Sequence, residues 1–282
     1  MSTEDSNTDD ASVSRDEVRA TAKKVSARIH GRKIAKRIVI TVVIIAAVAA
    51  AAWWVWRTVA PELERDVVTP QNVTSEDGID VLSLMPEGER SETVDDPIEL
   101  DVYVDYMSPE SGDIGTELLP QIYDLLDEGV VTLDIHPVSL LAGQSNGSQY
   151  STRAAGAVMC VVSGAPESFR DVNQALLTDQ PELSTEGYTD EELGQIALDA
   201  GAEGVNNCII DRKYATWVSE ATDRASDGPL IGTQDVQLGD ALVVVDGELY
   251  DGSLADAGEF TQFLLTLQSE EYFGGTTDEE SQ

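Results

Sequence analysis

Apolar positions along the second half of this chain repeat with two different periods, and the periods assign the elements. From Ile98 to Met107, Leu100, Val102, Val104 and Tyr106 occupy every second position, the pattern of a strand with one face turned to a core. Ile114, Leu118, Leu119, Ile122, Leu125 and Leu126 then recur at three- and four-residue intervals, which predicts a helix over 113–127. Gly129 ends it, and Val130–His136 reads as a second strand before Pro137. Strand, helix and strand within about 40 residues make a βαβ unit, which requires parallel pairing and a right-handed crossover.

A helical tract follows, with periodicity or caps over 151–163, 166–177, 189–200, 203–210 and 213–227. Thr189 and Glu192 stand at the spacing of a capping box. The pattern then returns to period two. Ala241–Val245, an Asp246-Gly247 turn and Glu248–Tyr250 predict a hairpin, and 254–268 a last helix buried through Phe260, Phe263, Leu264 and Leu267.

One run shows neither period. Ile38–Trp56 is apolar throughout and would span roughly 28 Å as a helix, close to the hydrocarbon thickness of a bilayer. Arg32, Lys33, Lys36 and Arg37 precede it, and Trp53, Trp54 and Trp56 close it as an aromatic collar. The positive-inside tendency places the N-terminus in the cytoplasm and the rest outside. A cleaved signal ending near Ala47-Val48-Ala49 is the competing reading, opposed by the length of the basic and apolar stretches. The organisation expected is therefore a polar, later basic cytoplasmic arm (1–37) and a transmembrane helix (38–56). An acidic, proline-containing linker (57–96), an α/β domain (97–268, with a helical insertion at about 147–227) and an acidic tail (269–282) complete it.

Charge sharpens this division. Of 17 basic residues nine lie between Arg15 and Arg37, and of 53 acids only six precede Arg37. That leaves 47 acids against eight bases from Arg57 onward, a net of −39 in which Lys213 is the single lysine. Such a surface repels phosphate, so nucleic acid is excluded as its partner. It suits a solvated exterior face or a basic partner.

The chemistry centres on Ser108-Pro109-Glu110-Ser111, where the first strand meets the helix. Tyr103-Val-Asp-Tyr-Met-Ser-Pro-Glu-Ser111 resembles the strand running into Cys-Pro-x-Cys in the DsbA-like thioredoxin-fold family. His136-Pro-Val-Ser-Leu-Leu141, Tyr150-Ser-Thr-Arg-Ala-Ala155 with Cys160, Cys208, Tyr214-Ala-Thr-Trp217 and Val243-Val-Val-Asp-Gly247 extend the likeness over about 97–267. The Tyr150–Ala155 stretch with Cys160 resembles the start of the inserted subdomain in membrane-anchored members of high-GC Gram-positive bacteria. The resemblance implies a thioredoxin-like fold with a DsbA-type helical insertion. Both redox positions here are serine. The family also sets a cis-proline opposite its thiols. Aligning on Gly232-Thr233 puts Gln234 at that position, and counting back from Asp246-Gly247 puts Ala241 there. Pro229 is the last proline of the chain, so this loop is expected to be trans.

Serine at N-cap, proline at N1 and glutamate in the first turn make a sound helix start, and Ser108 is read that way rather than as a nucleophile. Cys160 and Cys208 are the only cysteines, on separate expected helices. A structural disulfide is the favoured assignment; a dynamic redox pair and two free thiols are the alternatives. His136 is read as a polar group satisfied at a strand end. No cofactor, zinc site or calcium loop is expected from two histidines and scattered acids. The function expected is that of a membrane-anchored, extracytoplasmic DsbA-like domain without its redox site, a pseudoenzyme binding an envelope protein or peptide. A thiol-disulfide oxidoreductase using Cys160 and Cys208 is the alternative.

Overall fold

A computed structural model describes Val48 and residues 67–274 apart from 89, 91 and 92. The arm expected at 1–37 and almost all of the apolar run lie outside the described residues. Among the described residues no helix is long and apolar enough to cross a membrane. The chain divides into units 1–66 and 67–282, and the second is the one described below.

Five strands form one sheet in the order β1-β3-β2-β4-β5: β1 Ile79–Asp80, β2 Ile98–Val104, β3 Val131–Pro137, β4 Leu242–Val245 and β5 Glu248–Leu249. The pairing of β2 with β3 is parallel, from Ile98 opposite Val131 to Val104 opposite Pro137, as the βαβ reading requires. β1, β4 and β5 join antiparallel. In the β4–β5 hairpin, Asp246 and Gly247 take φ of 49° and 79°, the pair of positive angles that a tight primed turn demands.

The segment 57–96 differs from expectation. It was read as a linker, yet Ile79 pairs with Ile135 at the sheet edge, and Val81 opens a short helix, α1 (Val81–Leu84). Ile79 and Val81 are both fully buried, so the domain begins well before Pro97. Two apolar residues beside an edge strand are enough to close the core, but too few to show a period.

The helix after β2 runs through three registers: α2 (Pro109–Asp113), a π turn (Ile114–Leu118) and α3 (Leu119–Asp127). Pro120 explains the middle one. It has no N–H to give the Thr116 carbonyl, and its ring would strike that carbonyl in regular α geometry. The Leu119 N–H bonds back to Ile114 instead, and the Gly115 carbonyl left over accepts from Gln174 Nε2 at 2.6 Å. Gly115 is required here, because a Cβ would stand 2.4 Å from the Leu177 Cβ.

The insertion comprises α4 (Tyr150–Gly164), α5 (Phe169–Thr178), α6 (Asp190–Asp199), α7 (Asn206–Ile210) and α8 (Ala215–Ser226). Thr189 and Glu192 close the expected capping box on α6. Tyr106 Oη, fully buried, donates to Asn173 Oδ1 at 2.7 Å and ties the end of β2 to α5. The last helix, α9 (Ala257–Gly274), starts later and ends later than the expected 254–268, taking in part of the stretch read as tail.

The two sheet faces are covered unequally. Leu100, Val102, Val104, Leu133, Ile135, Val243 and Val245 join the main core with the helices. On the other face Tyr103, Leu242 and Val244 meet only a small cluster completed by Val138, Leu230 and Leu238.

Candidate functional site

β2 ends at Val104, and the next four residues form the turn that presents the first helix. Asp105 is fully buried and organises it. Its Oδ1 accepts from the Met107 N–H at 2.9 Å and its Oδ2 from the Leu141 N–H at 2.8 Å, stitching the turn to the segment after β3. Burial pushes the carboxyl pKa up, opposed by those two amides, and Asp240 nearby adds to the rise. The Ser108 N–H returns to the Asp105 carbonyl at 2.9 Å.

Ser108 is the N-cap of α2, as expected, with Pro109 following and Glu110 in the first turn. Its Oγ accepts from the Ser111 N–H at 3.4 Å. It also lies 2.9 Å from Asp240 Oδ1 and 3.0 Å from Glu110 Oε2. A hydroxyl carries one proton, so it serves one carboxylate at a time. Ser111 Oγ accepts from the Asp105 N–H at 2.9 Å. Both serines are fully buried, whereas Pro109, Glu110 and Asp240 are exposed.

This arrangement is poor for covalent chemistry. A serine nucleophile needs an adjacent base such as histidine. His136, the only histidine among the described residues, holds Asp101 instead, with Nε2 2.8 Å from its Oδ1. A thiolate at position 108 would meet two carboxylates, which raise a thiol pKa rather than lower it. Asp240 precedes Ala241 at the start of the hairpin strand, so of the two sequence alignments the one counted back from Asp246-Gly247 finds the loop that faces Ser108. All peptide bonds among the described residues are trans. Asp240 itself was missed, since 132 residues separate it from Ser108.

Cys160 and Cys208 form a disulfide with a Cα–Cα separation of 5.8 Å, joining α4 to α7. Cys160 is only 2% exposed. Trp217 and Tyr214 are buried core residues.

The structure brings together three residues that the sequence reading did not group. Asp101, Asp134 and His136 bring one ligand atom each within 4.8 Å of one another. Each is unremarkable in its own strand, and the parallel register creates the group. The signal was present in the repeated Leu-Asp-x-(Tyr/His) of the two strands, Leu100-Asp101-Val102-Tyr103 and Leu133-Asp134-Ile135-His136.

No protein-family model matches the chain, and no curated protein matches it. Solved structures do. The reduced form of DsbA from Mycobacterium tuberculosis is 26% identical, with a TM-score of 0.52 over 63% of this chain and 86% of that one. MdbA from Actinomyces oris, a thiol-disulfide oxidoreductase, is 20% identical, with a TM-score of 0.52 over 70% and 91%. Oxidised BdbD from Bacillus subtilis is 20% identical, with a TM-score of 0.51 over 72% and 98%. The structural neighbours are thus DsbA-like thiol-disulfide oxidoreductases, and the fold of this chain is DsbA- and thioredoxin-like.

Proposed function

We propose that this chain displays, outside the cell on a single N-terminal membrane span, a DsbA-like domain that does not exchange electrons at its first helix and works by binding an envelope protein or peptide. The observation that carries this is the Ser108 turn. Oxygen stands at both positions where the fold presents sulfur, both hydroxyls are buried in hydrogen bonds, and carboxylates flank the first. The span rests on the 19-residue apolar run and the basic residues before it. A net charge of −36 favours a cationic segment as the occupant.

Oxidoreductase chemistry through Cys160 and Cys208 is the other reading. Exchange requires a thiolate to reach a sulfur of the bridge; Cys160 is buried within it, so that reading would have to run through the half-buried Cys208.

Insulin reduction and dithiol oxidation by the full chain in detergent, compared with C160S/C208S, test the proposal. Equal background rates are expected. A rate clearly above that of the cysteine-free variant overturns it. For the binding role, cationic extended peptides should bind with an affinity that falls as salt rises, and salt-insensitive binding would remove the charge argument.

A further inference from the structure

The sparsely covered face of the sheet carries an unusual row. Asp101 on β2 stands directly opposite Asp134 on β3, and Asp134 directly opposite Asp80 on β1. Like charges facing each other across strands are destabilising, and here three carboxylates do so in succession. One step along the strands, Tyr103 stands opposite His136, and their rings stack at 4.3 Å with an interplanar angle of 10°.

The nearby positive groups do not neutralise the row. Arg224 is engaged by Asp77 in a two-pronged contact at 2.7 and 2.9 Å. His136 takes one carboxylate, Asp101. Asp134, Asp80 and Glu76 remain, and among the described residues no hydrogen bond reaches the Asp134 carboxylate.

From this geometry we infer that Asp101, Asp134 and His136 form a binding site for a divalent cation of the zinc class. The ligand set is mixed imidazole and carboxylate, which suits a borderline transition metal better than calcium or magnesium, whose sites are built from oxygen. His136 Nε2 and Asp101 Oδ1 are 2.8 Å apart, so a tetrahedral ion with bonds of about 2.0–2.1 Å would need them to separate by only about 0.5 Å. The three ligands sit on hydrogen-bonded strands, so the backbone fixes their separation before any ion arrives. Tyr103 clamps the imidazole from one side. Gly78 closes the other, because a Cβ there would lie 2.7 Å from His136 Cε1 and 3.2 Å from Asp134 Oδ2. A cavity of about 150 Å³ lined by Glu76, Asp77, Tyr103 and His136 reaches the imidazole. Binding replaces the hydrogen bond between His136 Nε2 and Asp101 Oδ1 with two bonds to the cation.

The test is calorimetric titration of Zn²⁺ into the full chain in detergent, stripped with a chelator, at neutral pH. One site per chain should stand at least ~10-fold above the weak sites of the acidic surface. D134N and H136Q should each weaken that site by ~10-fold or more, a loss of about 1.4 kcal/mol. D134N is nearly isosteric and should keep its fold, which circular dichroism checks, so it decides the matter even if H136Q misfolds. Ca²⁺ should find only the weak sites, equally in the parent and in H136Q. The inference is overturned if no tight Zn²⁺ site exists, if that site survives D134N, or if Ca²⁺ binds as tightly as Zn²⁺.

Discussion

Two places in this domain carry the groups on which the proposed function turns, and they differ in kind. The turn after β2 opens the first helix between two buried hydroxyls, at the positions where the proposed reading puts the family's thiols. The bridge between α4 and α7 has the sulfur, but in a closed bond between packed helices. On the proposed reading, position and reactivity have come apart. The turn keeps its shape because each serine does structural work, one as N-cap and the other as acceptor for a buried amide. The bridge keeps its sulfur because a crosslink over 48 residues of separation restricts the unfolded chain.

If that division is right, the largest effect comes from the sulfur that does no redox work. C160S/C208S should lower unfolding stability by about 4 kcal/mol on the chain-entropy estimate, with engineered cases often showing less. Denaturant unfolding of the full chain measures it. A loss below about 1 kcal/mol would say that the bridge is not a crosslink of consequence, and the oxidoreductase reading would regain ground.

A second contrast concerns pH. The bridge has no proton to gain in the acidic range, whereas the carboxylates on the sheet do. Asp134 is raised from 3.8 to about 6 in the folded chain, first by burial, with His136 pulling downward and Asp101, Asp80 and Glu76 adding to the rise. A raised acid favours the folded state below its unfolded pKa and loses that contribution as pH rises through its folded value. Chelator-treated protein should therefore lose stability between about pH 4 and pH 7, by at most about 3 kcal/mol from this group. D134N should flatten that part of the profile. An unchanged slope would place the titration elsewhere, with buried Asp105 the next group to test, since its pKa is also raised.

Much of this was readable before any coordinates. The period-two run of β2, the helical spacing after Ser108, the Thr189 capping box and the Asp246-Gly247 turn are local signals, and each formed where its chemistry required. What escaped depends on register or distance. Ile79 and Val81 are two buried residues in an acidic, proline-rich stretch, too short for any period. Asp240 meets Ser108 only because the hairpin strand pairs with β2. The Asp101–Asp134–His136 group exists only because two separate strands align in parallel without a slip. Pro120 is the intermediate case: its cost was foreseeable, and the π turn that absorbs it was not.

Putting the sulfur back would sharpen the comparison further. In S108C/S111C the first thiol would feel the N-terminus of the helix, worth about half a positive charge, against carboxylates on Asp240 and Glu110. The carboxylates are full charges and close, so the thiol pKa should stay above its ordinary value and insulin reduction should be slow. Adding D240A and E110Q should lower that pKa by about one unit or more and speed reduction. Alkylation rate against pH reads the pKa directly. A restored pair that is already acidic and active with Asp240 in place would show that the carboxylates do not oppose thiol chemistry at this turn.

The smallest effect discriminates most finely between the two serines. Ser108→Ala removes an N-cap, worth about 1 kcal/mol, and leaves Asp240 and Glu110 free to take water because both are exposed. Ser111→Ala strands the buried Asp105 N–H, which among the described residues donates to the Ser111 hydroxyl alone, and an unmet buried donor costs about 1–3 kcal/mol. The second substitution should therefore be the more damaging, although the first sits at the position where a DsbA-like enzyme would carry its nucleophile. The reverse order would mean that the Ser108 contact with Asp240 stabilises the turn more than the buried amide does. The loop before β4 would then be part of what holds the first helix in place.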